Sequence, residues 1–480
     1  MTLDTLFPFD ALTSRWAIGT IGVIIFLFLL TKRKSLGRRT NGTPAADQDD
    51  IIVEWSGGAG GQIVVDDWMA NPDIRAVIDA IEAGGGDIRF VGGCVRDALL
   101  HKQIDDVDLA TTERPERVIE LLQKAGLKAI PTGIEHGTVT AVSGTQTYQI
   151  TTLRRDIKTD GRRAEVDFTD DWKEDAGRRD FTFNTMSATP DGMVYDYFNG
   201  LQDLANRHIH FVGNVEERLL EDHLRILRYF RFIAVLGMRI DDQYSHQKCI
   251  QHAPLLAKLS GERIRDELFK MLLSENKYDA IGLMISSGVA SHFLPEATPP
   301  TRLKRLMWLE TSAIKVGSVG MDPVRRLASV VETDAAGARK IAARLRLSNI
   351  QRDHLITLVD PPWQATWKIL DDDLRALLYR LEPARVIDLC LLEWASVLTN
   401  MPNLPREQSE AWLRIIDTAD SWVAVDFPLR GRDALDLGLA EGPRIAEVLN
   451  HVEDWWTSGG CRADRYACLR KLREAARAPS

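Results

Sequence analysis

The spacing of apolar residues changes once along this 480-residue chain, close to residue 210. Before that point, short runs with the alternation of β-strands lie between runs with helical spacing. From Asn214 to the end, only helical spacing recurs. Because the strand-containing part and the helical part are separate, we predict an α+β fold. An N-terminal head with a mixed sheet and helices should be followed by an all-helical neck, body and tail.

The same change sets the expected domain boundaries, and the sequence contains no internal repeat. We expect an N-terminal apolar segment and linker over 1–62, the head over 63–210, the neck over 211–275, and the body and tail over 276–480. Within the head, helical spacing predicts helices over 72–82 and 116–124, and strands are expected over 88–91, 138–142, 147–153 and 194–198.

Residues 16–30 form the most apolar stretch, WAIGTIGVIIFLFLL, and basic residues follow it from Lys32 to Arg39. The stretch is just shorter than the length that comfortably spans a bilayer as a helix. A secretory signal carries its positive charges before the apolar part, unlike this segment. Residues 16–31 are therefore interpreted either as a single-pass membrane anchor, which leaves everything after Thr31 in the cytoplasm, or as residues upstream of a misassigned start codon.

Charge and cysteine content limit the classes of protein that this chain can belong to. With 60 Lys and Arg against 69 Asp and Glu, the formal net charge is -9. This argues against bulk attraction to nucleic acid, so any RNA must be bound by local basic patches. The 5 cysteines are scattered and form no C-x-x-C pair, which indicates reduced thiols and no zinc site.

Gly92 and Gly93 stand where the predicted strand 88–91 should turn into a helix. Two glycines allow the backbone to approach a phosphate, and the following helix presents free N–H groups. Arg96, one turn into that helix, could donate to the same phosphate. By itself the pattern is more often a tight turn, and it matches neither a dinucleotide-binding fingerprint nor a P-loop.

Asp106 and Asp108 follow Arg96 by ten and twelve residues. On a strand, residues two apart point to the same face, so both carboxylates would converge on one point. Two such carboxylates beside a phosphate-binding turn are what Mg²⁺-assisted phosphoryl transfer requires. An acidic pair alone would be interpreted as a solvated turn; next to the glycines, we predict that Asp106 and Asp108 are catalytic and hold Mg²⁺.

Several segments in order carry a family resemblance, which covers about residues 68–273. They are Phe90–Asp97 with Asp106–Thr111, His136–Thr138, Arg178–Thr182 with Asn184, Asp196–Gly200, Glu221–Arg228 with Arg231–Phe232, and Leu259–Lys270. Together they resemble the motifs of the polymerase-beta-like nucleotidyltransferase superfamily, in the form found in class II CCA-adding tRNA nucleotidyltransferases and their poly(A) polymerase relatives.

Asp222, Arg225, Arg228 and Arg231 recur every three residues and are expected to form one polar stripe on a helix. A carboxylate accepts from an exocyclic amine, and a guanidinium donates to a ring nitrogen or carbonyl. An adjacent Asp222–Arg225 pair could therefore accept CTP and ATP and reject GTP and UTP without a template. The alternative is a solvated charged face.

The resemblance implies the same base-selecting role for Asp222 and Arg225. It also implies that Arg228 and Arg231 serve the triphosphate or orient the pair, and that Arg179 faces the sugar or the phosphates. With Gly92, Gly93 and Arg96, these residues form the predicted nucleotide site. A third carboxylate often completes such sites, and the sequence does not choose between Asp156 and Asp167.

The resemblance further implies a reaction in which the tRNA 3′ hydroxyl attacks the α-phosphorus of CTP or ATP. Addition of CCA is the expected activity; a poly(A) polymerase, or an enzyme adding only CC or only A, is the alternative within the family. A membrane-tethered RNA-binding protein with an inactive head is the alternative from another class. RNA contact is expected at two basic segments, containing Arg339, Lys340, Arg344 and Arg346, and Arg462, Arg465, Arg470, Lys471, Arg473 and Arg477.

Overall fold

The computed structural model describes residues 61–65, 67–160, 163–274, 278–314 and 319–477. The strands of the head are β1 (Ile88–Val91), β2 (Asp108–Thr111), β3 (Lys128–Gly133), β4 (Thr138–Ser143), β5 (Gln146–Thr152), β6 (Arg154–Asp160), β7 (Arg163–Phe168), β8 (Ser187–Ala188) and β9 (Val194–Tyr195). The head helices are α1 (Asp67–Ala70), α2 (Pro72–Glu82), α3 (Gly93–Leu99), α4 (Pro115–Lys124), α5 (Trp172–Gly177) and α6 (Gly200–Asn206).

The head contains a 7-stranded sheet in the order β3-β4-β5-β2-β1-β8-β9, and β6 and β7 form a separate hairpin. Only β2 and β5 run parallel among the paired strands described; the other pairs are antiparallel. All four residues of β1 are buried, and the strand lies inside the sheet between β2 and β8. The predicted mixed sheet with helices is confirmed.

Helices make up the remainder, as predicted. They are α7 (Val215–Glu221), α8 (Leu224–Leu236), α9 (Gln243–His252), α10 (Gly261–Leu272), α11 (Tyr278–Ser286), α12 (Thr301–Trp308), α13 (Pro323–Ala328), α14 (Ala335–Arg344), α15 (Asn349–Val359), α16 (Asp371–Arg380), α17 (Pro383–Asn400), α18 (Arg406–Asp420), α19 (Gly431–Leu435), α20 (Pro443–Ser458) and α21 (Arg465–Arg477). One π-helical turn, Leu309–Ala313, follows α12.

The body is held together by buried charged residues as well as by apolar ones. Glu310, on the π-helical turn, accepts from Arg325 at 2.6 Å and from Arg326 at 2.7 Å. Arg326 also donates to the carbonyl oxygen of Leu272 at the end of α10. Because α10 belongs to the neck, the bond from Arg326 to Leu272 fixes the body to the neck. Such buried pairs are costly to disrupt, since removing one partner leaves a charge without compensation.

Two predictions about the head need correction. The strand expected over 194–198 ends at Tyr195, because the Asp196 carboxylate accepts from the backbone N–H groups of Phe198, Gly200 and Leu201 and turns the chain into α6. The expected boundary at 62/63 also cuts a paired segment.

At that boundary, the backbone N–H of Ile63 donates to the carbonyl oxygen of Gly192 at 2.8 Å. The N–H of Val194 donates to the carbonyl oxygen of Gly61 at 2.9 Å. The head therefore includes residues before Ile63. The apolar stretch 16–31 lies outside the described residues, and among those described no helix has the length and apolar character needed to cross a membrane.

Candidate active site

The turn after β1 is built around Gly92, which caps the N-terminus of α3. Its φ of 75° lies in the region that favours glycine. A Cβ atom at this position would lie 2.7 Å from Nη1 of Arg179. Gly92 is thus favoured by the backbone conformation, and a larger residue there would displace the Arg179 guanidinium packed against it. A Cβ on Gly93 would make only an ordinary contact, 3.6 Å from Arg96.

Asp106 and Asp108 lie beside this turn, but they do not share one strand. β2 begins at Asp108, and Asp106 precedes it in a segment without regular structure. The strand-based reason for their convergence was therefore wrong. Desolvation raises the pKa of the Asp108 carboxyl above its ordinary value, the Arg179 guanidinium lowers it, and the Asp106 charge raises it. The two carboxylates and Arg179 therefore share one electrostatic environment.

Arg96, predicted to meet a phosphate, is held by protein groups. Its Nε and Nη2 atoms donate to Asp97 at 2.9 and 2.6 Å, and its Nη1 atom donates to Oδ1 of Asn184 at 2.6 Å. These contacts direct the guanidinium toward the segment that follows Arg179. A phosphate would have to share or replace one of them.

Arg178 and Arg179 converge on the buried carboxylate of Asp175. Arg178 donates at 2.8 Å, and Nη2 of Arg179 donates at 3.3 Å. Burial by itself would raise the pKa of the Asp175 carboxyl, but the two guanidinium groups bring it below its ordinary value. Asp175 thus fixes the orientation of Arg179 above Gly92.

Asp180 connects the head to the neck. Its carboxylate accepts from Nδ2 of Asn184 at 3.0 Å and from Nε of Arg228, on α8, at 2.5 Å. Burial would raise the pKa of this carboxyl, but Arg228 and the other donors lower it to about 2. Arg96, Asn184, Asp180 and Arg228 therefore form one continuous hydrogen-bonded chain.

Asp222 is not part of the helical stripe that the sequence suggested. It ends α7 in an extended conformation, with φ -148° and ψ 106°, and α8 begins only at Leu224. Its Oδ1 atom accepts from the N–H of Leu224 at 3.1 Å, and its Oδ2 atom accepts from Arg263 on α10 at 2.7 Å. The expectation that Asp222 lies on one helix with Arg225 was wrong, because the extended backbone at Asp222 ends α7 before α8 begins.

Arg225 has partners of its own. It donates to Glu221 at 2.5 Å, to the carbonyl oxygen of Arg218 at 3.0 Å and to that of Arg178 at 3.1 Å. The last contact ties α8 to the segment that carries Arg179. The structure therefore places Asp222 and Arg225 on opposite sides of one helix junction, each with a fixed side chain.

Arg228 and Arg231, the other two arginines of the stripe, do lie on α8. Their guanidinium carbons are 5.5 and 4.1 Å from the ring centre of Phe232, and that of Arg96 is 5.3 Å from it. Arg231 also pairs with Glu267 on α10 at 2.5 Å. Arginine side chains from the head and the neck thus surround one buried ring.

Sequence reasoning assigned no role to Asp175, Asp180, Arg263 or Glu267. Asp180 was visible beside Arg179, and Arg263 and Glu267 stand four residues apart in the fifth motif, which places them on one face of a helix. Their partners lie on other elements, so no local pattern could reveal the pairing.

Of the two candidates for a third carboxylate, Asp167 pairs with Arg155 at 2.6 Å, and the side chain of Asp156 is outside the described set. Among the described residues, no group of three or more His, Cys, Asp or Glu side chains could hold a metal ion. Asp106 and Asp108 would have to share the cation with oxygen atoms of a nucleotide.

The two basic segments contain both arginines that form ion pairs and arginines that are exposed. Arg462 precedes α21 and pairs with Asp372 at 3.0 Å, and Arg465 pairs with Asp433. Lys471 pairs with Glu474 at 3.2 Å. Arg470, Arg473 and Arg477 are exposed and form no ion pair within the described part of the chain. In the other segment, Arg344 pairs with Glu296 at 2.7 Å.

Comparison with known proteins identifies the family and the fold. The profile described as "Poly A polymerase head domain" matches residues 88–210, and "Probable RNA and SrmB- binding site of polymerase A" matches 237–299. The mitochondrial CCA tRNA nucleotidyltransferase 1 of Mus musculus is 33% identical over 410 residues, covering 84% of this chain and 90% of the relative.

A CCA-adding enzyme of Lactobacillus delbrueckii subsp. bulgaricus is 41% identical over 216 residues, 45% of this chain and 53% of the relative. The crystal structure of the Bacillus stearothermophilus CCA-adding enzyme in complex with CTP has a TM-score of 0.66 and 26% identity, covering 84% of this chain and 97% of that one. The chain is a nucleotidyltransferase, and it belongs to the CCA tRNA nucleotidyltransferase family.

Proposed function

We propose that this enzyme adds CCA to the 3′ end of tRNA from CTP and ATP, with Asp106 and Asp108 as catalytic residues in the head and the base selected by the neck. One observation carries the assignment of the site: Arg179 lies against Gly92 and also interacts with the Asp108 carboxylate. A phosphate-binding turn, a guanidinium and two carboxylates are therefore neighbours, as a nucleotidyl-transfer site requires.

Asp106 and Asp108 would hold Mg²⁺. Two carboxylates whose charges repel each other suit a small cation with oxygen ligands, and Mg²⁺ commonly uses one or two carboxylates together with substrate phosphates. When bound there, the cation would stabilise the attacking and leaving oxygens of the phosphoryl transfer. The family's use of a divalent cation agrees with this donor set.

The head would bind the triphosphate and sugar. Gly92 and Gly93 let a phosphate approach the backbone, Arg96 lies one turn into α3, and Arg179 is kept in place by Asp175. Each guanidinium is already oriented by a carboxylate or an amide, so little ordering remains when the nucleotide binds.

The neck would select the base. Asp222 accepts from an exocyclic amine and Arg225 donates to a ring nitrogen or carbonyl, a combination that fits cytosine and adenine. Arg263 and Glu221 hold these two side chains, and Arg228 and Arg231 would contribute positive charge toward the phosphates.

The helical tail would bind the tRNA backbone. Tyr466, Arg470, Arg473 and Arg477 are spaced by four, three and four residues on α21, so they lie on one exposed face. A membrane anchor over residues 16–31 remains a separate proposal, and fractionation of the full-length protein tests it: recovery only in the aqueous fraction would contradict an anchor.

One experiment tests the activity. A tRNA lacking its CCA end is incubated with each nucleotide singly and with CTP and ATP together, and the product ends are sequenced. We expect two C residues followed by one A. Long A tails would indicate a poly(A) polymerase instead, and CC or A alone would indicate a partial activity. Tight tRNA binding without any incorporation would indicate an inactive head.

A further inference from the structure

A cluster of two histidines and two aspartates lies where the head meets the neck. Nδ1 of His210 is 2.9 Å from Oδ1 of Asp203, and Nε2 of the same ring is 3.4 Å from Oδ2 of Asp241. Nδ1 of His208 is 2.9 Å from that same Asp241 oxygen. A protonated imidazole donates from both nitrogens, so His210 can hold both carboxylates at once.

The members of this histidine–aspartate cluster come from both domains. His208 and His210 end the head, and Asp203 lies in the middle of α6. Asp241 lies in the neck, between α8 and α9. Backbone contacts support the same joint, since residues His208 and Arg239 form a β-bridge.

The backbone of residues 210–212 also contacts the segment that follows Arg179 at the nucleotide site. The carbonyl oxygen of His210 accepts from Thr182 at 3.1 Å, and Val212 donates to the carbonyl oxygen of Asp180 at 3.0 Å. The Thr182 hydroxyl donates to Oδ2 of Asp203 at 2.5 Å. The residues next to Arg179 are therefore attached, through His210 and Asp203, to the same cluster that binds Asp241.

We propose that His210 and Asp241 are positioning residues that set the neck's base-selecting side chains relative to the head's phosphate site. This inference rests on the proposed division of roles between head and neck. The reacting end of the nucleotide would be held mainly by the head, with Arg228 and Arg231 of the neck adding positive charge, whereas the base would be held by the neck alone. Breaking the contact between His210 and Asp241 should therefore weaken nucleotide binding and leave the rate of the chemical step on the bound nucleotide nearly unchanged.

The test compares His210→Gln, Asp241→Asn and the double variant. Glutamine donates through one amide only, and asparagine keeps the shape of aspartate without its charge. We expect KM for CTP to rise by about tenfold in each single variant, with kcat within about twofold. The His210–Asp241 contact is lost in either single variant, whereas His208–Asp241 and His210–Asp203 are each weakened in only one. The rise in KM in the double variant should therefore be smaller than the product of the two single effects.

His252→Gln is the matched control. Nε2 of His252 is 3.4 Å from Oε1 of Glu216, so this is also an imidazole–carboxylate pair, but both residues lie in the neck. The KM of His252→Gln for CTP should equal that of the wild type. Melting curves report folding, and if His210→Gln does not fold, Asp241→Asn carries the test, since asparagine keeps the shape of aspartate.

An unchanged KM in both single variants, a loss confined to kcat, or independent effects that multiply in the double variant would overturn the inference. So would an equal rise in KM in His252→Gln. A wild-type enzyme that incorporates neither C nor A would instead overturn the proposed function, so the two failures are distinguishable.

Discussion

Asp222 and Arg225 are three residues apart, yet each is held by a different partner: Arg263 donates to Asp222 at 2.7 Å, and Glu221 accepts from Arg225 at 2.5 Å. Each side chain is therefore oriented before a nucleotide arrives. A donor and an acceptor fixed in this way can act as a template made of protein, because the cost of ordering them has already been met during folding.

Replacing Asp222 should separate base selection from catalysis. Asp222→Ala leaves the base amine without an acceptor, which costs about 1–3 kcal/mol, so discrimination against UTP and GTP should fall by roughly ten- to a hundredfold. The measurement is relative incorporation of the four nucleotides on a tRNA ending before CCA. Asp266→Ala, which removes an exposed partner of Arg265, is the control. A proportional loss with every nucleotide would mean that Asp222 is structural.

The two carboxylates proposed to be catalytic, Asp106 and Asp108, should be indispensable, unlike their neighbour. Asp106→Asn or Asp108→Asn should lower kcat by about a thousandfold or more, because a lost cation ligand removes several kcal/mol of transition-state stabilisation. Asp105→Asn removes the same charge from the adjacent residue, which contacts only Gln103 among the hydrogen bonds described, and should change kcat by less than about twofold. Equal effects at the three positions would contradict the assignment.

Two glycines with positive φ allow backbone strain to be separated from contact with Arg179. Gly85, with φ +86°, has open space around a Cβ atom, whereas a Cβ on Gly92, with φ +75°, would lie 2.7 Å from Arg179. Alanine at either position should lower stability by about 1 kcal/mol. Only Gly92→Ala should also lower kcat/KM, by about tenfold or more, because it displaces Arg179. Full activity of Gly92→Ala would show that Arg179 can move at no cost.

The Asp180–Arg228 pair should make stability depend on pH in a defined direction. The folded-state pKa of Asp180 is about 2, below the value of about 3.9 in an unfolded chain. Its contribution, about 2–3 kcal/mol, is therefore fully present above about pH 5 and is lost as the pH falls through 4 toward 2. The urea midpoints of wild type and Asp180→Asn should differ at pH 7, differ by about half as much near pH 3, and converge only below about pH 2. A difference that is constant with pH would contradict the pairing.

The sequence predicted those features that depend on neighbours along the chain. The helix over 72–82 and the strand over 88–91 follow from apolar spacing, and both have the predicted bounds. The partner of Asp222 was not predictable, because Arg263 is 41 residues away on another helix. The strand expected through residue 198 failed for a local reason: a single carboxylate, Asp196, binds three backbone N–H groups and ends it.

The tail gives the last prediction, which separates specific phosphate contacts from bulk charge. Arg470, Arg473 and Arg477 share an exposed face of α21 with Tyr466, whose exposed fraction is 75%. Replacing all three arginines with glutamine should weaken tRNA binding. It should also reduce the slope of log Kd against log salt concentration by about 2–3, since each phosphate contact releases about one counterion.

A charge-matched control distinguishes position from net charge. Arg380, Arg406 and Arg414 are also exposed, but they pair with Asp454, Glu410 and Asp371. Glutamine at these three positions changes the net charge by the same amount and should leave the salt dependence almost unaltered. Filter binding with one tRNA at several salt concentrations measures both variants. Equal slopes in the two would mean that tRNA senses only the overall charge of the tail, and that the face formed by Arg470, Arg473 and Arg477 is not a binding surface.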